Sequence, residues 1–134
     1  MSLNEINPDE IEGMNEIVEW FGYWPSFHDA EVISIELHRT GSSSIEVHTY
    51  ETNGELDATG HYANFKELAV RFLIEGISVL DLHNFNHQNV VFGIDIRKAE
   101  SGYELTLDEC FGVVGRIVAD KIKITSKPGH MQTR

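Results

Sequence analysis

Trp24-Pro25-Ser26-Phe27-His28-Asp29-Ala30-Glu31-Val32 is the stretch at which the chain changes period. Before it, apolar residues recur at helical spacing; after it, they alternate every second residue. A helix that gives way to a run of strands is the pattern of an α+β domain. Within the stretch, Pro25 biases Trp24 towards an extended backbone, and Phe27 reads as a plug for the core. His28, Asp29 and Glu31 admit two readings. One is an acid–base site in which His28 works with Asp29 or Glu31. The other is a structural network, in which these side chains cap backbone groups freed where helix becomes sheet. Neighbours on an extended segment point to opposite sides, so His28 and Asp29 are not expected to converge. Glu31 shares strand parity with Ile33 and Ile35, which predicts partial burial, and a buried carboxylate without a partner is costly. That argument and the lack of a pocket motif favour the network. Trp24, Pro25, Phe27, His28, Asp29 and Glu31 are therefore taken as a structural motif.

Upstream, Asn7-Pro8-Asp9-Glu10 has the form of a helix start, with a capping Asn, Pro at the first helical position and acids at the positive end of the dipole. Ile11, Met14, Val18 and Phe21 follow on one stripe, and Gly22 ends the helix. Gly13 lowers its stability by roughly 1 kcal/mol relative to Ala, so the helix depends on docking against the sheet.

Downstream, Ile33, Ile35 and Leu37 alternate with polar residues, and Ile45, Val47 and Thr49 do the same after Gly41-Ser42-Ser43. A hairpin loop at those three residues sets Leu37 opposite Val47, Glu36 opposite His48 and His38 opposite Glu46. Asn53-Gly54 is a second hairpin signal, leading into a polar strand from Glu55 to His61. Further strands are predicted over 68–74 and 79–85, separated by a turn at Glu75-Gly76. Others follow over 90–97 with Phe92, Ile94 and Ile96 inward, over 103–108, and over 116–125 with Val118, Ile122 and Ile124 inward. The expected architecture is an N-terminal helix packed on a meandering, mostly antiparallel sheet of about seven strands, or that sheet curled into a partly open barrel. Residues 1–134 read as one domain, with 126–134 as a loose tail.

Twenty-two Asp and Glu against ten Lys and Arg give a formal charge of −12. Such a field repels nucleic-acid phosphates and anionic lipid and draws in basic partners. No apolar run approaches the roughly 20 residues that cross a bilayer, and the N-terminus lacks the pattern of a signal peptide. Cys110 has no second cysteine to pair with. A cytoplasmic protein without nucleic-acid or membrane partners is the expectation. Metal-site spacings, a GxSxG elbow and a phosphate-binding glycine loop are all missing from the sequence, so neither metal nor cofactor is expected.

With these residues in place, the chain resembles the bacterial polymorphic-toxin immunity proteins of the immunity protein 50 family. The resemblance rests on the opening stretch and on Phe85-Asn86-His87-Gln88-Asn89, in the order helix, motif, strands. It implies a small cytosolic protein that binds and neutralises a cognate toxin, usually encoded beside it, and it implies no catalytic role for the motif. An acidic surface would suit a basic partner such as a nuclease. Strand parity puts Glu36, Glu46, Glu51, Glu55 and Asp57 on the polar sides of the first strands, as candidate partner-binding residues. Glu104 and Asp108 form a second set. The alternative is a small enzyme or ligand-binding protein using His28, Asp29 and Glu31, which requires a concave pocket there. A monomer or a weak homodimer fits either reading, since sheet edges invite pairing.

Overall fold

Asn7 begins the fold as a cap, its side-chain oxygen accepting from the Asp9 N–H at 3.0 Å. In the computed structural model, which describes residues 6–51, 58–59 and 66–128, Pro8–Glu10 forms one 3₁₀ turn. The helix proper, α1, spans Met14–Phe21. Gly22 closes it by donating to the Val18 carbonyl at 2.7 Å. The single helix expected from Asn7 onward is thus broken around Gly13, and the cause is tertiary. The Glu12 carbonyl accepts from the Ile124 N–H at 2.8 Å, which pins the backbone to the last strand. Gly13 then turns away at a φ of 91°, and a Cβ there would run into the Ile124 carbonyl. Lys123 pairs with Glu12 at 3.3 Å beside this junction. Ile11, Met14, Ile17 and Phe21 are buried and belong to one core with the strands.

Those strands are β1 (Ala30–Glu36), β2 (Ser43–Glu51), β3 (Lys66–His83), β4 (Val90–Lys98), β5 (Tyr103–Phe111) and β6 (Val114–Pro128). They close into a barrel in the order β1-β2-β3-β6-β5-β4, every neighbouring pair antiparallel. The α+β class holds, with six strands among the described residues in place of about seven, and with the curled form of the sheet. Closure removes most of the exposed edge that an open sheet leaves. No helix among the described residues is long and apolar enough to cross a membrane.

Several local expectations change. The two strands predicted over 68–74 and 79–85 are one 18-residue strand, β3. Gly76 is not a turn. It takes a φ of 70° inside the strand while pairing with β6 continues through Glu75↔Lys121 and Ile77↔Ala119. The register slips only between Ile77 and Val79, so Glu75-Gly76 marks a bend. The strand β6 also runs further than expected: Ser126, Lys127 and Pro128, assigned to the loose tail, pair with Val70, Ala69 and Leu68. Residues 129–134 lie outside the described residues, as do the Asn53-Gly54 hairpin and the strand expected from Glu55 to His61.

Parity fails where bulges intervene. In β1 the register shifts between Val32 and Ser34, so Ala30 and Val32 are buried while Glu31 is exposed. The expected burial of Glu31 is therefore wrong. Ile35 pairs with Ile45 and Glu36 with Ser44, a hairpin offset from the predicted one. Its longer loop is held by Ser43, whose Oγ accepts from the His38 N–H at 2.9 Å, and Leu37 is left outside. In β4, shifts on both sides of Val91 bury Val91 and Ile94 and turn Phe92 out. In β6 the buried residues are Ile117, Ala119, Ile122 and Ile124, with Val118 only partly covered.

Candidate functional site

The opening stretch closes the barrel. β1 and β4 share only two register pairs, Ala30↔Val91 and Glu31↔Val90. Backbone bonds from the flanking segments complete the seam: Asp29 N–H to the Val91 carbonyl at 3.0 Å, Val32 N–H to the Asn89 carbonyl at 2.8 Å, and Ile94 N–H to the Ser26 carbonyl at 3.4 Å. Phe27, fully buried, meets Trp24 edge-on at 5.3 Å between ring centres and Phe72 of β3 at 5.9 Å. Burial of a ring of that size stabilises by roughly 1.5–3 kcal/mol. It anchors the crossing segment to the far wall.

The segment is not extended at its centre. Phe27 and Asp29 have φ of 63° and 64°, in the left-handed region that non-glycine residues seldom occupy. The Ala30 N–H reaches back to the Phe27 carbonyl at 3.1 Å across this turn. The expected divergence of His28 and Asp29 is consequently overturned: His28 Nδ1 lies 3.2 Å from Asp29 Oδ2. The backbone groups of the crossing are satisfied by other backbone groups and by Ser26, whose Oγ accepts from the His28 N–H at 3.2 Å.

A histidine beside a carboxylate has the donors and acceptors of a general base. Here both groups are about half exposed, so water competes for each hydrogen bond. The pair lacks the water-excluded setting that gives such a base its strength. Among the described residues no three His, Cys, Asp or Glu side chains gather as a metal site requires.

The second sequence motif sits against the first. Asn89, 3% exposed, is the polar centre of this corner. Its Oδ1 accepts from the Asn86 N–H at 3.0 Å and from the Val113 N–H at 3.1 Å, and its Nδ2 donates to the Asn86 carbonyl at 2.6 Å. One side chain thus ties the 84–89 loop to the β5–β6 turn, while its own carbonyl holds β1. In the sequence Asn89 stands out only as the last residue of the 85–89 stretch. The Asn86-to-Asn89 spacing signals a local side-chain turn, but nothing in the sequence points to Val113.

The candidate carboxylates are dispersed. Glu46 is paired with Arg71 of β3, Glu36 with His38 of the following loop at 2.8 Å, and Glu104 with Arg116 at 2.8 Å. Glu51 is the last residue of β2, opposite Lys66; Glu55 and Asp57 lie outside the described residues. His48 stands opposite Glu31, not Glu36. Asp108 extends towards the seam, its Oδ2 and the Ser26 carbonyl each 3.3 Å from where a Cβ on Gly93 would lie. Three large aromatics that sequence parity missed or buried stand in solvent at this corner: Phe85, Phe92 and Phe111, at 51%, 57% and 54% exposure. Phe92 meets the His28 ring edge-on at 4.9 Å.

The same corner that gives the fold its closure carries both family-like motifs, and comparison with known proteins agrees with it. The family model described as immunity protein 50 matches residues 13–129. No curated protein and no solved structure gives a significant match. The matched span takes in α1, the seam and every strand of the barrel, and on that ground the chain belongs to the immunity protein 50 family.

Proposed function

We propose that the chain binds and neutralises a cognate bacterial toxin in the cytoplasm, as a rigid acidic protein and not as an enzyme. The observation that carries this reading is the family match over residues 13–129. A barrel with a continuous core supplies the rigid surface that inhibition by occlusion needs. The charge of −12 favours a basic toxin, with a nuclease as the leading class, because a carboxylate-rich surface can occupy a cleft built for phosphates. Two regions offer the carboxylates. One is the polar side of β1 and β2, with Glu36 and Glu46, to which the sequence adds Glu51, Glu55 and Asp57 as candidates. The other is the closing corner. The test is a pull-down of the purified chain with the toxin domain encoded beside it, together with growth of cells expressing that toxin. Stoichiometric capture and restored growth are expected. A toxin that is neither captured nor silenced would refute the reading.

A further inference from the structure

We propose that the outer side of the closing corner, centred on Phe92 and Phe111 and bordered by Asp29, Glu31 and Glu109, is the docking face for a basic toxin domain. The inference rests on the toxin-binding reading and deepens it by naming the surface. Three independent features of the corner support it.

The first is aromatic exposure with a structural cost. Register shifts on both sides of Val91 interrupt the β4–β5 ladder. Their effect is to bury Val91 and Ile94 while delivering Phe92 to solvent. Without the slip, strict alternation with Ile94 would send Phe92 inward. Bulges re-aim side chains in this way, often next to working surfaces. Phe111 stands on the adjacent strand opposite Val90. Exposed rings of this size are costly to leave wet and supply the anchors of protein interfaces.

The second is charge. The segments that build the corner, residues 21–38, 79–96 and 99–115, contain no Lys or Arg. They carry Asp29, Glu31, Asp95 and Glu109 on exposed positions. The β2–β3–β6 side is different, because Arg71 answers Glu46, and Lys121, Lys123 and Lys127 alternate along β6. No Lys or Arg within these segments offsets Asp29, Glu31 or Glu109, and the resulting negative potential selects a partner with Lys and Arg around a pocket for an aromatic ring.

The third is preorganisation. Asp29 is fixed at its left-handed φ, His28 bridges between its carboxylate and the Phe92 ring, and Asn89 ties down the loop that bears Phe85. Side chains held in place before binding lose less freedom on association.

The measurement is the affinity of the full chain for the toxin domain encoded beside it, at low and high salt, with melting curves for every variant. Phe92→Ala and Phe111→Ala are each expected to weaken binding roughly tenfold or more, as interface anchors do. Glu109→Lys, at an exposed position clear of the core, is expected to slow association at low salt and much less at high salt. Glu16→Gln with Glu19→Gln, at exposed positions of α1, is expected to leave affinity within about twofold, as substitutions outside an interface do. If the wild-type chain binds the toxin and the folded Phe92, Phe111 and Glu109 variants bind equally well, the docking face is wrong while the toxin reading stands. Failure of the wild-type chain to bind overturns both. A free chain that sediments as a dimer, and that Phe92→Ala converts to monomer, would make a second copy the occupant and also overturn the proposal.

Discussion

Asn89 shows how much can depend on one polar side chain. It is buried, its amide makes three hydrogen bonds, and two of the groups it serves are backbone N–H donors in different loops. Asn89→Ala leaves the buried Val113 N–H without a partner, a deficit of about 1–3 kcal/mol for one group alone. The expected loss of stability is about 2–4 kcal/mol by denaturant titration, with the larger effect reflecting the second loop. A change within experimental error would mean that the loops hold together without it. His28, Asp29 and Glu31 drew attention in the sequence because charged groups among rings are conspicuous. The residues that hold the crossing, Ser26, Phe27 and Asn89, are partly of types that look ordinary. Phe27 was legible because an aromatic flanked by polar residues at a period change has few places to go. Asn89 was not, because its partner Val113 is remote in sequence.

Among the elements, the helix gives the clearest separation of local from tertiary control. Local propensity says that Gly13→Ala should lengthen and stabilise the helix by about 1 kcal/mol. The docked geometry says the opposite, since φ is 91° and the new Cβ would overlap the Ile124 carbonyl. The expected result is destabilisation by about 2–4 kcal/mol, combining the left-handed backbone cost with loss of the Glu12–Ile124 hydrogen bond. Thermal or denaturant unfolding reads the sign directly, and stabilisation would mean a continuous helix. β3 teaches a similar lesson. Glu75-Gly76 has the composition of a turn, yet both halves of the strand find a continuous partner in β6, and pairing along that length outweighs local turn preference. Alternation predicted the inward residues of β2 and β5 correctly, because those stretches lack bulges at their centres. It failed at Glu31 in β1 and at Phe92 in β4, where a register shift reverses parity on one side of the slip, while Ile35, Ile94 and Ile96 stay against the core as expected.

At the level of the whole molecule, the barrel is closed unevenly. β3 and β6 pair from Leu68↔Pro128 to His83↔Val114, whereas β1 and β4 share two pairs and a few flanking bonds. Opening should begin at the weaker seam. In native-state hydrogen exchange, the amides of Asp29, Val32 and Ile94 are expected to exchange roughly tenfold or more faster than the amides that bond within the β3–β6 ladder. Equal protection throughout would mean that the barrel opens only as a unit. The proposed docking face lies on that seam, so binding of the toxin there should slow exchange at the seam most. The sequence by itself determined the helix-to-sheet order, the α+β class, the acidic charge, the burial of Phe27 and the resemblance to an immunity family. All of these follow from local period, composition or a contiguous motif. The tertiary structure alone decided that the sheet closes, that α1 breaks at Gly13, that Glu31 faces water and that Phe92 faces out. Each of those depends on which distant backbone supplies the next hydrogen bond, and a one-residue slip in pairing changes the answer without any change in local preference.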